Sequence, residues 1–516
     1  MTDPSPSTAE IGFQSVFETR RLLGQGSVTS LQIVEALLRR IAEADCDGPG
    51  LHAVLATCPE GIEAAQQLDA ERRQGRVRGP LHGIPALVKD NIDTAGSEGT
   101  TAGSMALAMT RPTKDAVVVQ RLRAAGVIVI AKSNLSEWAN FRDKRSSSGW
   151  SATGGQCHNP HVLDRSPGGS SSGSGAGVAA GFAPLSVGTE TDGSILCPAA
   201  LNGVVGIKPT VGLTSRTGVV PVSSSQDTVG PIARSVAEAA ALLGVLAGSG
   251  AGADPLDPVT TSRPADLPKD YVAFCDPDGL SGVRVGVPRR HYFGYSVEAD
   301  ALVEAALQVA RKMGAVIVDP ADVATAEAIS QSNDEMTVML HEYKAGVETY
   351  LATRPTTPGQ PRNVAEIVAF NQDHAADELA FFGQGILVAA CEAGGLDNPT
   401  YLEARERNWR RARQDGIDAA LEGAKAAVLA FPTIGTAWCI DHLNGDSHTR
   451  AGYQAAAVAG YPAISVPVGK ASGLPVGLCL VGGAWSEPLL IRVSFALEQA
   501  LALGNDMRPA WRSRVE

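Results

Sequence analysis

The densest set of reactive side chains is Ser166-Pro167-Gly168-Gly169-Ser170-Ser171-Ser172-Gly173-Ser174-Gly175-Ala176-Gly177, hydroxyls set among glycines. A flexible linker has this composition. Patterned apolar sequence continues on both sides, so nothing is being linked. Gly169-Ser170-Ser171-Ser172-Gly173 satisfies the G-x-S-x-G spacing of a nucleophile elbow, which needs a strand running into the turn. The lead-in His161–Pro167 does not read as a strand. Gly175, Gly177 and Ala180 have dinucleotide-loop spacing, again with no strand before them. None of the nine histidines lies in a recognisable triad context. Cys157-His158-Asn159-Pro160-His161 lacks further ligands at metal-site spacing, so no metal and no cofactor is expected. Asn159-Pro160 reads as a turn before the serine run.

The elements that must hold this run alternate between helix and strand. Residues 1–9 are polar and read as a frayed end. Apolar residues recur at helical spacing from Ile11 to about Ala44, with Thr29-Ser30 as a cap, and again from Pro59 to Arg73. Ile84–Val88 is a short apolar run, Ala116–Ala125 a helix and Val127–Ala131 a buried strand. Strand character returns at Leu185–Val187, Val204–Ile207 and Gly218–Val222, followed by a helix over Val236–Leu246. Residues 249–270 form a linker-like excursion. Beyond it come Val283–Val287, a helix near Ala299–Met313, and Val316–Val318. Residues 324–425 are mostly helical, interrupted at 355–361, and Val428–Phe431, Ala463–Val468 and Gly477–Val481 are strand-like. Such alternation predicts an α/β fold with an enclosed sheet.

Composition narrows the partners. The chain has 516 residues and 44% hydrophobic residues, enough for a large core. Its formal charge is −12, against a phosphate-tracking nucleic-acid binder. Eight cysteines form no C-x-x-C pair and are read as buried free thiols. The N-terminus has no signal-peptide pattern, and no apolar run approaches a membrane span. The expectation is a cytoplasmic protein, a monomer or homo-oligomer, without nucleic-acid or membrane partners.

Two more segments complete the pattern: His82-Gly83-Ile84-Pro85-Ala86-Leu87-Val88-Lys89-Asp90-Asn91 and Gly188-Thr189-Glu190-Thr191-Asp192-Gly193-Ser194-Ile195. With the serine run, and with Gly206–Thr210, Asp227–Arg234, Ala459–Pro467 and Gly473–Gly477 in the same order, the chain resembles the amidase signature family. The resemblance implies the amidase signature fold, a mixed twisted central sheet surrounded by helices. It implies one domain over 1–516: an N-terminal helical layer to about 75, a catalytic core at 76–250, and a substrate-cleft region at 324–425. It further implies a Ser–Ser–Lys set, with Lys89 as base, Ser170 as the bridging serine held on a cis peptide, and Ser194 as nucleophile. Lysine is a base only when neutral, a form that burial favours. A serine hydroxyl can bridge because it both donates and accepts. The backbone N–H groups of Thr191, Asp192, Gly193 and Ser194 resemble the family's oxyanion hole.

Two departures bear on the substrate. Asp192-Gly193 stands where the family more often has Gly-Gly. Leu196-Cys197-Pro198 replaces an arginine that could clamp a substrate carboxylate. Glu137-Trp138-Ala139-Asn140-Phe141-Arg142 and Phe381-Phe382-Gly383-Gln384 look most like the peptide amidase branch. The implied reaction is hydrolysis of a carboxamide C–N bond through a serine acyl-enzyme, with ammonia released from C-terminal peptide amides. Two alternatives use the same residues: an aryl-acylamidase or broad amidase/esterase, and an amidotransferase-type subunit.

Overall fold

The computed structural model describes residues 8–96, 98–248, 252–449 and 451–515. Most of the stretch expected to fray, and residues 249–251 of the expected linker, lie outside the described residues. Thirteen strands occur in chain order among the described residues. The first five are β1 (Val54–Thr57), β2 (Pro85–Lys89), β3 (Ile128–Ser133), β4 (Trp150–Ser151) and β5 (Gly155–Gln156). Then come β6 (Leu185–Glu190), β7 (Val205–Lys208), β8 (Thr228–Ala233), β9 (Arg284–Gly286) and β10 (Val316–Val318). The last are β11 (Val428–Pro432), β12 (Ala463–Ala471) and β13 (Leu474–Val481). Eleven form one mixed sheet in the order β1-β3-β2-β6-β8-β7-β12-β13-β11-β9-β10, and β4 and β5 form a separate hairpin.

The parallel trio β3-β2-β6 is the part that matters for chemistry. Every residue of these three strands is buried, which explains why β2 and β3 read as short continuous apolar runs rather than alternating ones. The main hydrophobic cluster joins them to helices Ser30–Ile41, Val117–Ala124, Val236–Ala247, Val297–Lys312 and Glu487–Leu501. The expected cap at Thr29 is formed: its Oγ1 accepts from the Gln32 N–H, while the Gln32 side chain accepts from the Thr29 N–H. Residues 326–424 are mainly helical, with a break between Thr353 and Val364.

Two expectations need correction, and one strand has no counterpart in the sequence reading. Gly218–Val222 is not a strand; Val219 makes one isolated bridge to Ile92. Its main-chain groups serve the loop after β2 instead, with Gly218 accepting from Asp93 and Val220 donating to Asn91. β8 has no expected counterpart, since its residues enter the sequence reading only within the Asp227–Arg234 motif. It nevertheless lies between β6 and β7, with Pro231 opposite Val187. The cysteines divide: Cys58, Cys157, Cys197 and Cys479 are buried free thiols, whereas Cys46 and Cys439 are exposed.

Candidate active site

β2 and β6 run parallel in adjacent positions, so Lys89, Thr189 and Glu190 all arrive at the carboxyl end of the sheet. That is where open α/β sheets present their ligands. The Lys89 side chain is fully buried. Its Nζ lies 2.8 Å from Ser170 Oγ, 2.8 Å from Thr189 Oγ1 and 3.3 Å from the Thr189 carbonyl. Asn91 Nδ2 donates to the same Thr189 hydroxyl at 3.0 Å. Lys89 has no ion-pair partner among the described residues. Burial drives its pKa from 10.5 to about 7, against the opposing pull of Asp227 and Glu190. A large share of this amine is therefore neutral near pH 7, and in that form it accepts from the Ser170 hydroxyl.

Ser170 follows a cis Gly169–Ser170 peptide bond and sits just ahead of the helix Ser172–Ala179. That helix is closely packed by neighbouring segments. A Cβ at Gly173 would overlap the Ala53 carbonyl oxygen. One at Gly175 would stand 2.9 Å from the Pro198 carbonyl oxygen, and one at Gly177 2.7 Å from Leu87 Cδ1. The run is therefore a packed helix rather than a linker. No strand leads into it.

The loop carrying Ser194 is stitched to this helix. The Ser171 N–H donates to the Ser194 carbonyl at 3.1 Å, and Ser171 Oγ donates to the Thr189 carbonyl at 3.1 Å. Ser194 lines a cleft of about 420 Å³, along with Gly169, Thr191, Asp192 and Cys197. Lys89 and Ser170 lie behind that wall. The Lys89–Ser170 link is thus formed. Ser194 makes no side-chain hydrogen bond to Ser170 among the described residues, and such links often tighten only when substrate binds.

Motif matching gave no role to Glu190, yet it shapes the turn. Its Oε2 accepts from the Ile195 N–H at 2.7 Å and the Leu196 N–H at 2.9 Å, and the Gly193 N–H faces the same carboxylate. The N–H groups of Asp192 and Ser194 meet no protein acceptor among the described residues. Gly193 has φ +79°, a left-handed conformation that favours glycine. Asp227 anchors the other side of the turn through Thr191 Oγ1 at 2.6 Å. It also accepts from the Val222 and Ser223 N–H groups. A buried acid inside each motif was the available signal for both residues.

The two segments associated above with the peptide amidase branch meet. Arg142 is buried against Glu137 Oε1 at 2.7 Å, and its guanidinium lies 4.0 Å from the Phe382 ring centroid. Ala139, Asn140 and Phe141 reach the cleft, whereas Phe381 and Phe382 do not line it; Met336, Met339 and Ile386 supply the helical region's wall. His82, the one histidine beside the lysine motif, is buried between the Leu68 carbonyl and the Arg78 N–H. Among the described residues no group of three or more His, Cys, Asp or Glu side chains could hold a metal ion. Nor is any described helix long and apolar enough to cross a membrane.

The family model described as Amidase matches residues 32–491. The chain belongs to that family, whose Ser-Ser-Lys members the sequence resembles, and it is an amide-hydrolysing enzyme. The native peptide amidase from Stenotrophomonas maltophilia superposes with a TM-score of 0.89 at 47% identity, covering 98% of both chains. A protein of Arabidopsis thaliana named as a probable amidase is 36% identical over 501 residues, 96% of this chain and 91% of its own. A glutamyl-tRNA(Gln) amidotransferase subunit of Anaeromyxobacter dehalogenans is 36% identical over 529 residues, 97% of this chain and 98% of its own.

Proposed function

We propose that this enzyme hydrolyses the C-terminal carboxamide of peptides to the acid, releasing ammonia, with Ser194 as nucleophile, Ser170 as proton relay and Lys89 as base. The observation that carries the reading is the 2.8 Å contact from Lys89 to Ser170 in the buried interior, directly behind the cleft-lining Ser194. As Ser194 Oγ attacks the carbonyl carbon, its proton passes to Ser170, whose own proton passes to the Lys89 amine. The tetrahedral oxyanion is held by main-chain donors of Thr191–Ser194. Asp192 and Ser194 contribute most, because the Gly193 N–H already faces Glu190. Collapse breaks the C–N bond and the returning proton leaves with ammonia. Water then enters by the reverse relay and frees the peptide acid.

Likeness to a peptide amidase over nearly the whole chain supports the peptide part. So does a cleft lining without arginine among the described residues; Lys144 is the one Lys or Arg on it, and no guanidinium is there to clamp a small acidic substrate bidentately. We further propose that the chain is one catalytic domain acting in the cytoplasm. The sheet running from β1 to β10 supports the first part and the eight free thiols the second. Identity to an amidotransferase subunit favours a second reading, in which the chain feeds ammonia to a partner.

The test is a product assay on the purified chain alone. Ammonia release from peptides ending in carboxamide, absent with free peptides, is expected. Preference for anilides would make it an aryl-acylamidase, and ammonia only from glutamine with a partner present would make it an amidotransferase component. Ser194→Ala should lose at least about 10⁴-fold in kcat with the fold kept; substantial residual turnover would remove the nucleophile assignment.

A further inference from the structure

Three acids outside the relay line the cleft: Asp143, Asp192 and Asp446. Asp192 lines the cleft beside the nucleophile, and its Oδ1 is buried without a hydrogen-bond partner. Neighbouring carboxylates are occupied. Glu335, in the first turn of helix Asp334–Thr353, accepts from Gln226 Nε2 and Gln454 Nε2, each at 2.8 Å. Asp143 accepts from the N–H groups of Arg145 and Gly385. Asp446 accepts from Ser148 and from Trp438 Nε1. Burial first, then the nearby Glu335, pushes the Asp192 carboxyl well above its ordinary range, and burial raises Glu335 as well.

A carboxyl in either protonation state keeps an oxygen that accepts a hydrogen bond. What suits the empty Oδ1 is therefore an N–H or a cation. Burial and Glu335 already resist a negative charge at Asp192, and a substrate carboxylate brought to the same place would meet the same resistance. When ammonia is the leaving group, everything else in the substrate lies on the acyl side. The group facing Asp192, two residues from Ser194, then belongs to the residue that bears the amide.

We propose that Asp192, backed by Glu335, is the specificity residue for the acyl part of the substrate, taking an N–H or cationic donor at Oδ1 and turning away acyl groups with a carboxylate next to the scissile amide. This rests on the peptide-amide reading above. It assigns a substrate class within that reading: amides of neutral and basic residues, not of acidic ones.

The test compares three primary amides of one design: Nα-acetyl-leucinamide, Nα-acetyl-argininamide and Nα-acetyl-isoglutamine, whose side-chain carboxylate is free. With the wild-type enzyme, kcat/KM for the anionic amide should fall at least about 100-fold below the neutral one, carried mainly by KM. In Asp192→Asn the ratio between the two should narrow to within about tenfold, whatever loss both share, and Glu335→Gln should narrow it less. Wild-type turnover of the anionic amide at the neutral rate overturns the inference without any variant, which covers the case of Asp192→Asn failing to fold. An unchanged ratio in a folded Asp192→Asn overturns it too. Equal turnover of all three leaves the peptide-amide reading standing and removes only this inference; no turnover of any primary amide removes both.

Discussion

The sheet buries two lysines on adjacent strands and treats them oppositely. Lys132 on β3 is fully buried beside Asp90 at 3.6 Å, and its Nζ donates to the Ile92 carbonyl, Thr94 Oγ1 and Thr100 Oγ1. Lys89 on β2, the neighbouring strand, has two hydroxyls and a carbonyl but no carboxylate in contact. Burial without a charged partner favours the free amine at Lys89. One lysine thus ties the loops after β2 to β3 through its ion pair and hydrogen bonds, and the other is a proton acceptor. A buried lysine is read by its nearest acid rather than by its burial.

That contrast can be broken by substitution. Lys89→Met should cost about 10³–10⁴-fold in kcat while leaving thermal stability equal or higher, because no buried charge is orphaned. A mild rate effect would remove Lys89 as base. Lys132→Met should do the reverse, destabilising the protein by about 3–5 kcal/mol because Asp90 is left buried and unpaired. Denaturant unfolding reads it directly, and an unchanged midpoint would mean that Asp90 is neutral in the native state.

The pH profile sharpens the comparison. Lys89 must be neutral to accept the proton, so kcat/KM should rise about tenfold per unit below a pKa of about 7 and level off above it. A profile flat from pH 5 to 8 would contradict the assignment. Linkage gives a second readout. Unfolded Lys89 keeps its proton to about pH 10.4, so between the folded and unfolded values the unfolded chain binds more protons. Wild-type stability relative to Lys89→Met should therefore climb as pH rises from about 7. The smallest expected effect is for Thr189→Val, which deletes one hydroxyl contact to Lys89 and should lower kcat about three- to tenfold. A loss as large as that of Lys89→Met would make Thr189 part of the relay.

The readable parts of this molecule are those where local sequence and environment agree. β3 and β10 follow directly from Val127–Ala131 and Val316–Val318, and Thr29 from its capping pattern. β1 escapes such a reading because it is a four-residue, partly exposed edge strand with no alternation. β8 escapes it because Gly230-Pro231 lies mid-strand, where local rules do not expect a sheet interior. In the site, Lys89, Ser170 and Ser194 are legible from motif order. Glu190 and Asp227 are not, because their work is done on main-chain N–H groups that carry no letter in the sequence. The Phe381–Gln384 segment lies inside the helical region expected to shape the cleft; Phe381 and Phe382 themselves do not line it and pack on His442 and Arg142 respectively.

The glycine-threaded helix behind Ser170 sets where such an enzyme can be changed. Close approach by neighbouring main chain leaves no room for even a methyl group at Gly173 or Gly175, so random libraries spent there will return mostly dead clones. The Met336, Met339 and Ile386 wall comes from separate helices that carry no part of the relay. New specificities are therefore to be bred from residues 326–424, with the serine segment inherited intact.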